Sequence, residues 1–305
     1  MNWPHSDSTP STSQLRLAAQ QGQFLVTAEV APPKGGDPSH MLVRAKALKG
    51  RVHAVNVTDS SRAMARMSPL AAAALIQQAG VEAVMQLACR DRNRIALQGD
   101  LMGAAAFGIP NVLALTGDPV KLGDCRDARQ VSELEAVRLL GLIGKLNRGV
   151  DCNEKPLPDG PVSLFPGAAV DPQHPNFSSL QRRCDRKVQA GAEFFQSQLI
   201  TDFERLQLFV EKIANPLGKP VLVGIFLLKS AKNARFINKY LPGVKIPDAT
   251  IARLEKAADP LMEGVAIAAE QVKLARQLCR GVHLMAVKAE HLIPKILDCA
   301  GIAPL

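Results

Sequence analysis

One alternation constrains this chain more than any other feature. Eight short apolar runs recur at residues 24–30, 52–57, 83–88, 112–115, 162–165, 194–199, 221–226 and 282–285. Each is bounded by turn residues, and helix punctuation lies between them: Ser68-Pro69 with Gly80, a Ser132/Glu135 capping box, Asp202, and Pro260 at the head of the longest stretch. Runs this short and apolar read as strands buried on both faces, the habit of parallel sheets with helical crossovers. Eight βα units in 305 residues is the arithmetic of a (β/α)8 TIM barrel, class α/β, filling residues 21–305 as a single domain. A doubly wound sheet ranks second, because such sheets usually stop at about five to seven strands. Residues 147–161 read as a polar insertion, and Pro166-Gly167 as the break that ends the fifth strand. Residues 1–20 read as a disordered or loosely ordered segment, since Met1 to Ser13 is polar and rich in Pro and Ser.

A barrel of this kind gathers its chemistry at the C-terminal ends of its strands. The polar residues there are Glu29 after strand one, Thr58 and Asp59 after two, Gln86 and Arg90 after three, Thr116 and Asp118 after four, and Gln198 after six. Glu29 closes an apolar run and is followed by Pro32-Pro33, which stops regular structure. It reads either as a functional carboxyl or as a rim residue paired with a surface Lys or Arg. Gly117, in Thr116-Gly117-Asp118, leaves room for a flat ligand against the backbone, although Gly-Asp is also a common turn. Arg183, Arg186 and Lys187 stand at i, i+3 and i+4 of a helix, where one face can hold a pyrophosphate or simply be a solvated basic surface.

Composition narrows the partners. Lys and Arg total 37 against 28 Asp and Glu, a balance of +9 that favours anionic partners. The basic residues are spread along the chain and aromatics make up 4%, which speaks against nucleic-acid modules built on stacking and for small anionic ligands. The six cysteines form no CxxC pair and no zinc-spaced cluster, as expected of reduced thiols in a cytoplasmic protein. There is no signal-peptide core, no membrane-length apolar run, no GxGxxG and no Walker loop. No metal, nucleic acid or membrane is therefore expected.

Several of these segments together resemble one family. They are Ala28-Glu29-Val30-Ala31-Pro32-Pro33, Val57-Thr58, Leu115-Thr116-Gly117-Asp118, Arg186-Lys187-Val188-Gln189-Ala190-Gly191-Ala192, Ser197-Gln198 and Val244-Lys245-Ile246-Pro247. In order and spacing the chain resembles the methylenetetrahydrofolate reductases, flavoprotein (β/α)8 barrels, from about Phe24 to its end. The resemblance implies noncovalent FAD passing hydride from N5 to 5,10-methylenetetrahydrofolate, giving 5-methyltetrahydrofolate for methionine synthesis. It implies Glu29 as general acid and Asp118 as a carboxylate between flavin and pterin. It implies Thr58, Asp59, Gln86, Thr116, Gly117, Phe165, Arg183, Arg186 and Lys187 as cofactor contacts, and Gln198 and Lys288 as folate contacts. The implied partners are a polyglutamylated folate, NAD(P)H or a redox protein such as ferredoxin, and, as an open option, a second copy of the chain. The chain departs from better-known members in Gln86 for a His, Phe165-Pro166 for Tyr-Pro, Ala168-Ala169 where a His follows, Leu199-Ile200 for phenylalanines, and Lys288 for an Arg. A flavin- and folate-binding subunit that needs a separate redox partner is the alternative.

Overall fold

The computed structural model describes residues 13–241 and 243–305. Eight strands alternate with helices: β1 (Leu25–Val30), β2 (Ala54–Val57), β3 (Ala83–Ala88), β4 (Asn111–Leu115), β5 (Phe165–Val170), β6 (Phe194–Leu199), β7 (Val221–Phe226) and β8 (Gly281–Met285). All pair in parallel with their chain neighbours, and β8 returns to β1, so the sheet closes as a (β/α)8 TIM barrel. The helices are α1 (Gln14–Gln20), α2 (Ser39–Lys46), α3 (Pro69–Gln78), α4 (Arg94–Ala106), α5 (Ala136–Asn147), α6 (Phe177–Gln189), α7 (Phe203–Phe209), α8 (Ala231–Tyr240), α9 (Asp248–Lys256), α10 (Pro260–Leu278) and α11 (Ile293–Cys299).

Strand side chains alternate between two packing shells, because successive residues of a strand face opposite ways. Outward residues such as Val26, Ala28, Val55, Val57, Val112, Val223 and Val282 pack under the helices. Inward residues at the strand starts, Leu25, Ala54, Val84, Leu113, Phe165, Phe194 and Leu222, fill the floor of the barrel. The next inward positions up the strands are polar, and that change marks the start of the site.

Residues 14–20 are a helix, not a loose segment. Leu15 of α1 is 0% exposed against the floor, a burial worth about 2 kcal/mol. The Ser13 hydroxyl donates to Asn111 Oδ1 at 2.7 Å, and the Arg16 guanidinium lies 5.2 Å from the centroid of the Phe165 ring. The rest of the segment read as loose, residues 1–12, lies outside the described residues.

The fifth strand is displaced from its expected place. It starts at Phe165 and runs through Pro166 and Gly167 to Val170. Phe165 N–H donates to Pro110 O, and Pro166 O accepts from Glu193 N–H, one residue before β6 begins. The Pro166 nitrogen thus faces a place where no ladder bond is due, which is where a strand tolerates proline. Gly167 is demanded by packing, since a Cβ there would stand 2.1 Å from Phe194 Cζ. One further expectation shifts: the helix read as starting at Ser132 starts at Ala136.

Candidate active site

Thr27 and Glu29 are inward neighbours on β1, and register sets His283 of β8 beside Thr27. His283 is 1% exposed, with Nδ1 3.0 Å from Thr27 Oγ1 and Nε2 3.8 Å from Glu29 Oε2. Nε2 has no hydrogen-bond partner among the described residues. The Thr27 hydroxyl can donate to Nδ1, and the tautomer that accepts this bond carries its proton on Nε2, toward the carboxyl. Glu29 keeps 23% of its side chain exposed, so it is open to the mouth on one side and to this buried pair on the other. The expected alternative, a rim ion pair with Lys or Arg, does not form among the described residues, where the titratable group nearest the carboxyl is the His283 ring.

Beneath the mouth a second polar pair crosses the barrel. Asn56 Nδ2 of β2 donates to Gln196 Oε1 of β6 at 2.7 Å, joining strands on opposite sides, while buried Asn56 Oδ1 has no partner among the described residues. Thr58 and Gln86 are buried on the same inner wall, and neither side chain has a hydrogen-bond partner among the described residues. Thr27, Asn56, Gln196 and His283 escape a reading confined to strand ends. Their signal is a polar residue at an inward position of an otherwise apolar strand.

At the rim, the strand-end residues take several roles. Thr116 Oγ1 accepts from Ala136 N–H at 3.2 Å and so caps α5. Gly117 has φ +91°, and a Cβ there would stand 2.8 Å from Arg90 Cβ. The missing side chain therefore makes room for the end of β3 as well as for the left-handed turn. Asp118 Oδ2 accepts from Arg62 N–H at 2.7 Å, holding a turn in which Ser60, Arg62 and Ala63 all have positive φ. Asp124 ties the same corner, accepting from Lys34 Nζ at 2.6 Å and Ala65 N–H at 2.9 Å; those bonds hold its carboxyl down at about 2.

Asp59 does not reach the mouth. It is buried outside the barrel wall, accepting from Ala88 N–H at 2.8 Å and from Arg92 at 2.7 Å. Burial pushes its carboxyl up despite the guanidinium. It ties the end of β2 to β3 instead of offering a free group to a ligand. Phe165 is also misplaced as a cofactor contact, since β5 puts it on the floor, tilted against Phe194 at 5.2 Å between ring centroids. The upper end of β5 is Val170, followed by Asp171 and His174.

The basic face of α6 divides. Lys187 Nζ donates to Ala169 O at 2.6 Å, reaching the upper part of β5, and burial lowers its pKa. Arg186 pairs with Glu135 at 3.1 Å, while Arg183 is exposed without a carboxylate partner among the described residues. Gln198 reaches the mouth through a bulge, where the β6–β7 register slips between Gln196 and Leu199. Gly224 N–H donates to Ser197 Oγ, and Ser197 Oγ donates to Gln198 O, each at 2.8 Å. Such bulges re-aim a side chain, and here exposed Gln198 is tipped out of a buried strand. Lys288 has φ +60°, with its N–H directed at Glu290 Oε1 at 3.3 Å.

Half-buried Glu29 is a carboxyl open to the mouth, with the His283 ring behind it. The family model for methylenetetrahydrofolate reductase matches residues 14–301. The chain belongs to the methylenetetrahydrofolate reductase family. A probable methylenetetrahydrofolate reductase (NADPH) of Caenorhabditis elegans is 23% identical over 241 residues, 76% of this chain and 34% of that protein. Methylenetetrahydrofolate reductase 2 of Schizosaccharomyces pombe is 27% identical over 203 residues, 63% and 30% respectively. The chain thus spans about a third of these relatives, which are much longer proteins. Among solved structures, an uncharacterized Clostridium thermocellum protein that binds two copies of 5-methyl-5,6,7,8-tetrahydrofolic acid superposes with TM-score 0.64 at 12% identity, over 95% of this chain and 100% of that one. A tryptophan synthase from M. tuberculosis gives TM-score 0.52 at 15% identity over 95% and 97%. At those identities the likeness is one of fold.

Proposed function

We propose that this family member reduces 5,10-methylenetetrahydrofolate to 5-methyltetrahydrofolate, with Glu29 as the general acid and FAD as a noncovalent cofactor. The observation that carries the proposal is a partly exposed carboxyl at the mouth, Glu29, with the buried ring of His283 3.8 Å behind it and Thr27 against that ring. The family match and the folate bound by the Clostridium thermocellum protein support the substrate class.

The mouth suits a flavin in its donor set. Thr58 and Gln86 offer unpartnered polar groups to a heterocycle edge, and Thr116 and Gly117 form the adjacent rim. Lys187 at the top of β5 and Arg183, without a carboxylate partner among the described residues, suit a diphosphate, with Arg186 reachable once it leaves Glu135. When bound, a flavin supplies the hydride.

The chain's own groups do the rest. Glu29 delivers a proton to folate N10 as the methylene bridge opens, leaving an iminium carbon as hydride acceptor. His283 orients that carboxyl and offers it an N–H once it is ionised, while Thr27 fixes the ring. Asp118, held by Arg62 N–H, puts a fixed negative charge beside the cationic iminium. Gln198 offers the pterin an amide with both donor and acceptor.

For the electron donor, Leu199 and Ile200 are 5% and 0% exposed, so neither offers a face to a nicotinamide ring. That favours, as a second reading, reduction by a protein such as ferredoxin, against the NADPH in the name of the worm relative. Anaerobic mixing of flavin-loaded protein with NADPH, NADH or reduced ferredoxin separates the two. The main proposal is tested by purifying the protein with FAD present and assaying 5-methyltetrahydrofolate oxidation with an artificial acceptor. Bound flavin with turnover supports it; protein that takes up no flavin overturns it.

A further inference from the structure

We propose that Lys229 is the second cation of a carboxylate site at the mouth and, with Lys288, clamps the glutamyl end of the folate. This rests on the folate reading above and adds a residue to it. Lys229 lies three residues beyond β7, and its Nζ donates to Val287 O at 3.0 Å. Its ammonium is therefore fixed against the loop after β8, one residue before Lys288. That loop is itself held firmly. Lys288 adopts φ +60° with its N–H on Glu290 Oε1, and Glu290, 2% exposed, pairs with Arg44 at 3.0 Å. Arg44 also donates to Ala31 O at 3.3 Å, which ties this corner to β1, the strand of Glu29.

Neither Lys229 nor Lys288 has a carboxylate partner among the described residues, whereas Lys34, Lys145 and Lys219 each have one. An anion that meets the ammoniums of both adjoining loops gains two charge contacts. A non-Gly residue held in the left-handed region adds strain at Lys288, a common feature of binding loops. The pterin end of a folate is uncharged at neutral pH, and its carboxylates belong to glutamate. An ammonium makes one point contact with a carboxylate where a guanidinium makes a planar pair. Two lysines from two loops supply both contact points, and they do so without a fixed plane, so they also accommodate the successive carboxylates of a polyglutamate.

The test compares 5-methyltetrahydrofolate with the methylamide of 5-methyltetrahydropteroate, which keeps the benzoyl amide and carries no carboxylate, by calorimetry on the flavin-loaded protein. The wild type is expected to bind the methylamide about tenfold more weakly, the sum of two partly exposed charge contacts. In Lys229→Met that penalty falls to about threefold, Lys229→Arg restores most of it, and the Lys229→Met/Lys288→Met protein binds both ligands alike. Full tenfold discrimination in Lys229→Met overturns the assignment and leaves the folate reading standing. A wild type that binds neither compound overturns the folate reading, and the assignment with it.

Discussion

Replacing Gly224 by alanine probes how Gln198 is aimed without touching either group that meets a ligand. A Cβ at position 224 would stand 2.2 Å from Gln198 O, 2.6 Å from its carbonyl carbon and 2.9 Å from Ser197 O. The shortest of these is roughly 1 Å inside ordinary contact, and all three obstacles are backbone, which yields only by moving the bulge. Overpacking of this kind costs about 1–3 kcal/mol. At about 2 °C per kcal/mol for a chain of this size, Tm falls by about 2–6 °C. The larger effect is on function. A shift of about 1 Å in a positioning group costs up to about 10²-fold in rate. In stopped flow, the folate half-reaction of Gly224→Ala is expected to slow by about 10–10²-fold. Reduction of the flavin by its donor and the flavin content should stay at wild-type levels. An undiminished folate rate in a variant whose Tm has dropped would refute the link between bulge and Gln198. Equal loss in both half-reactions would show that the damage is not local.

Other substitutions separate chemistry from scaffold. His283→Phe keeps the ring but removes both nitrogens, and the folate step is expected to slow by about 10²-fold with donor reduction intact; equal rates would remove His283 from the acid's support. Asp59→Asn breaks a buried pair in which Arg92 retains Asp100 at 2.8 Å, so about 3 kcal/mol is lost, near the low end for such pairs. Urea unfolding should register this loss while FAD affinity holds, and a reversed pattern would return Asp59 to the cofactor site. Burial lowers the His53 pKa below 6.5, and its Nδ1 accepts from Val26 N–H at 3.0 Å. The native state then binds fewer protons than the unfolded chain, so stability is full above pH 6.5 and falls as pH drops below it. His53→Gln should flatten that slope between pH 7 and 5 in thermal melts, and an unchanged slope would place the titration elsewhere.

The barrel was legible because buried parallel strands leave an apolar signature that survives single-sequence reading, and seven of the eight strands fall where the runs predict. The fifth did not, because Pro166 and Gly167 read as a break. Only the register with β4 and β6 reveals that the proline nitrogen faces no ladder partner there. That displacement also moved Phe165 from mouth to floor. The rim was legible from strand ends, and Glu29, Thr58, Gln86, Thr116, Asp118 and Gln198 do gather at one end of the barrel. The layer beneath was not, since His283 and Thr27 are 256 residues apart in the chain and meet only when β8 closes on β1. Spacing on α6 put Arg183, Arg186 and Lys187 on one face, yet Glu135 draws Arg186 aside, and no local pattern foretells that.

The most direct measurement follows flavin absorbance after anaerobic mixing of photoreduced, FAD-loaded protein with 5,10-methylenetetrahydrofolate, in the wild type and in Glu29→Gln. The wild type is expected to return to the oxidised yellow spectrum with one 5-methyltetrahydrofolate formed per flavin. Glu29→Gln is expected to keep its flavin and stay bleached for at least about 10² times longer. Reoxidation at the same rate in both proteins would contradict the placement of the acid on Glu29.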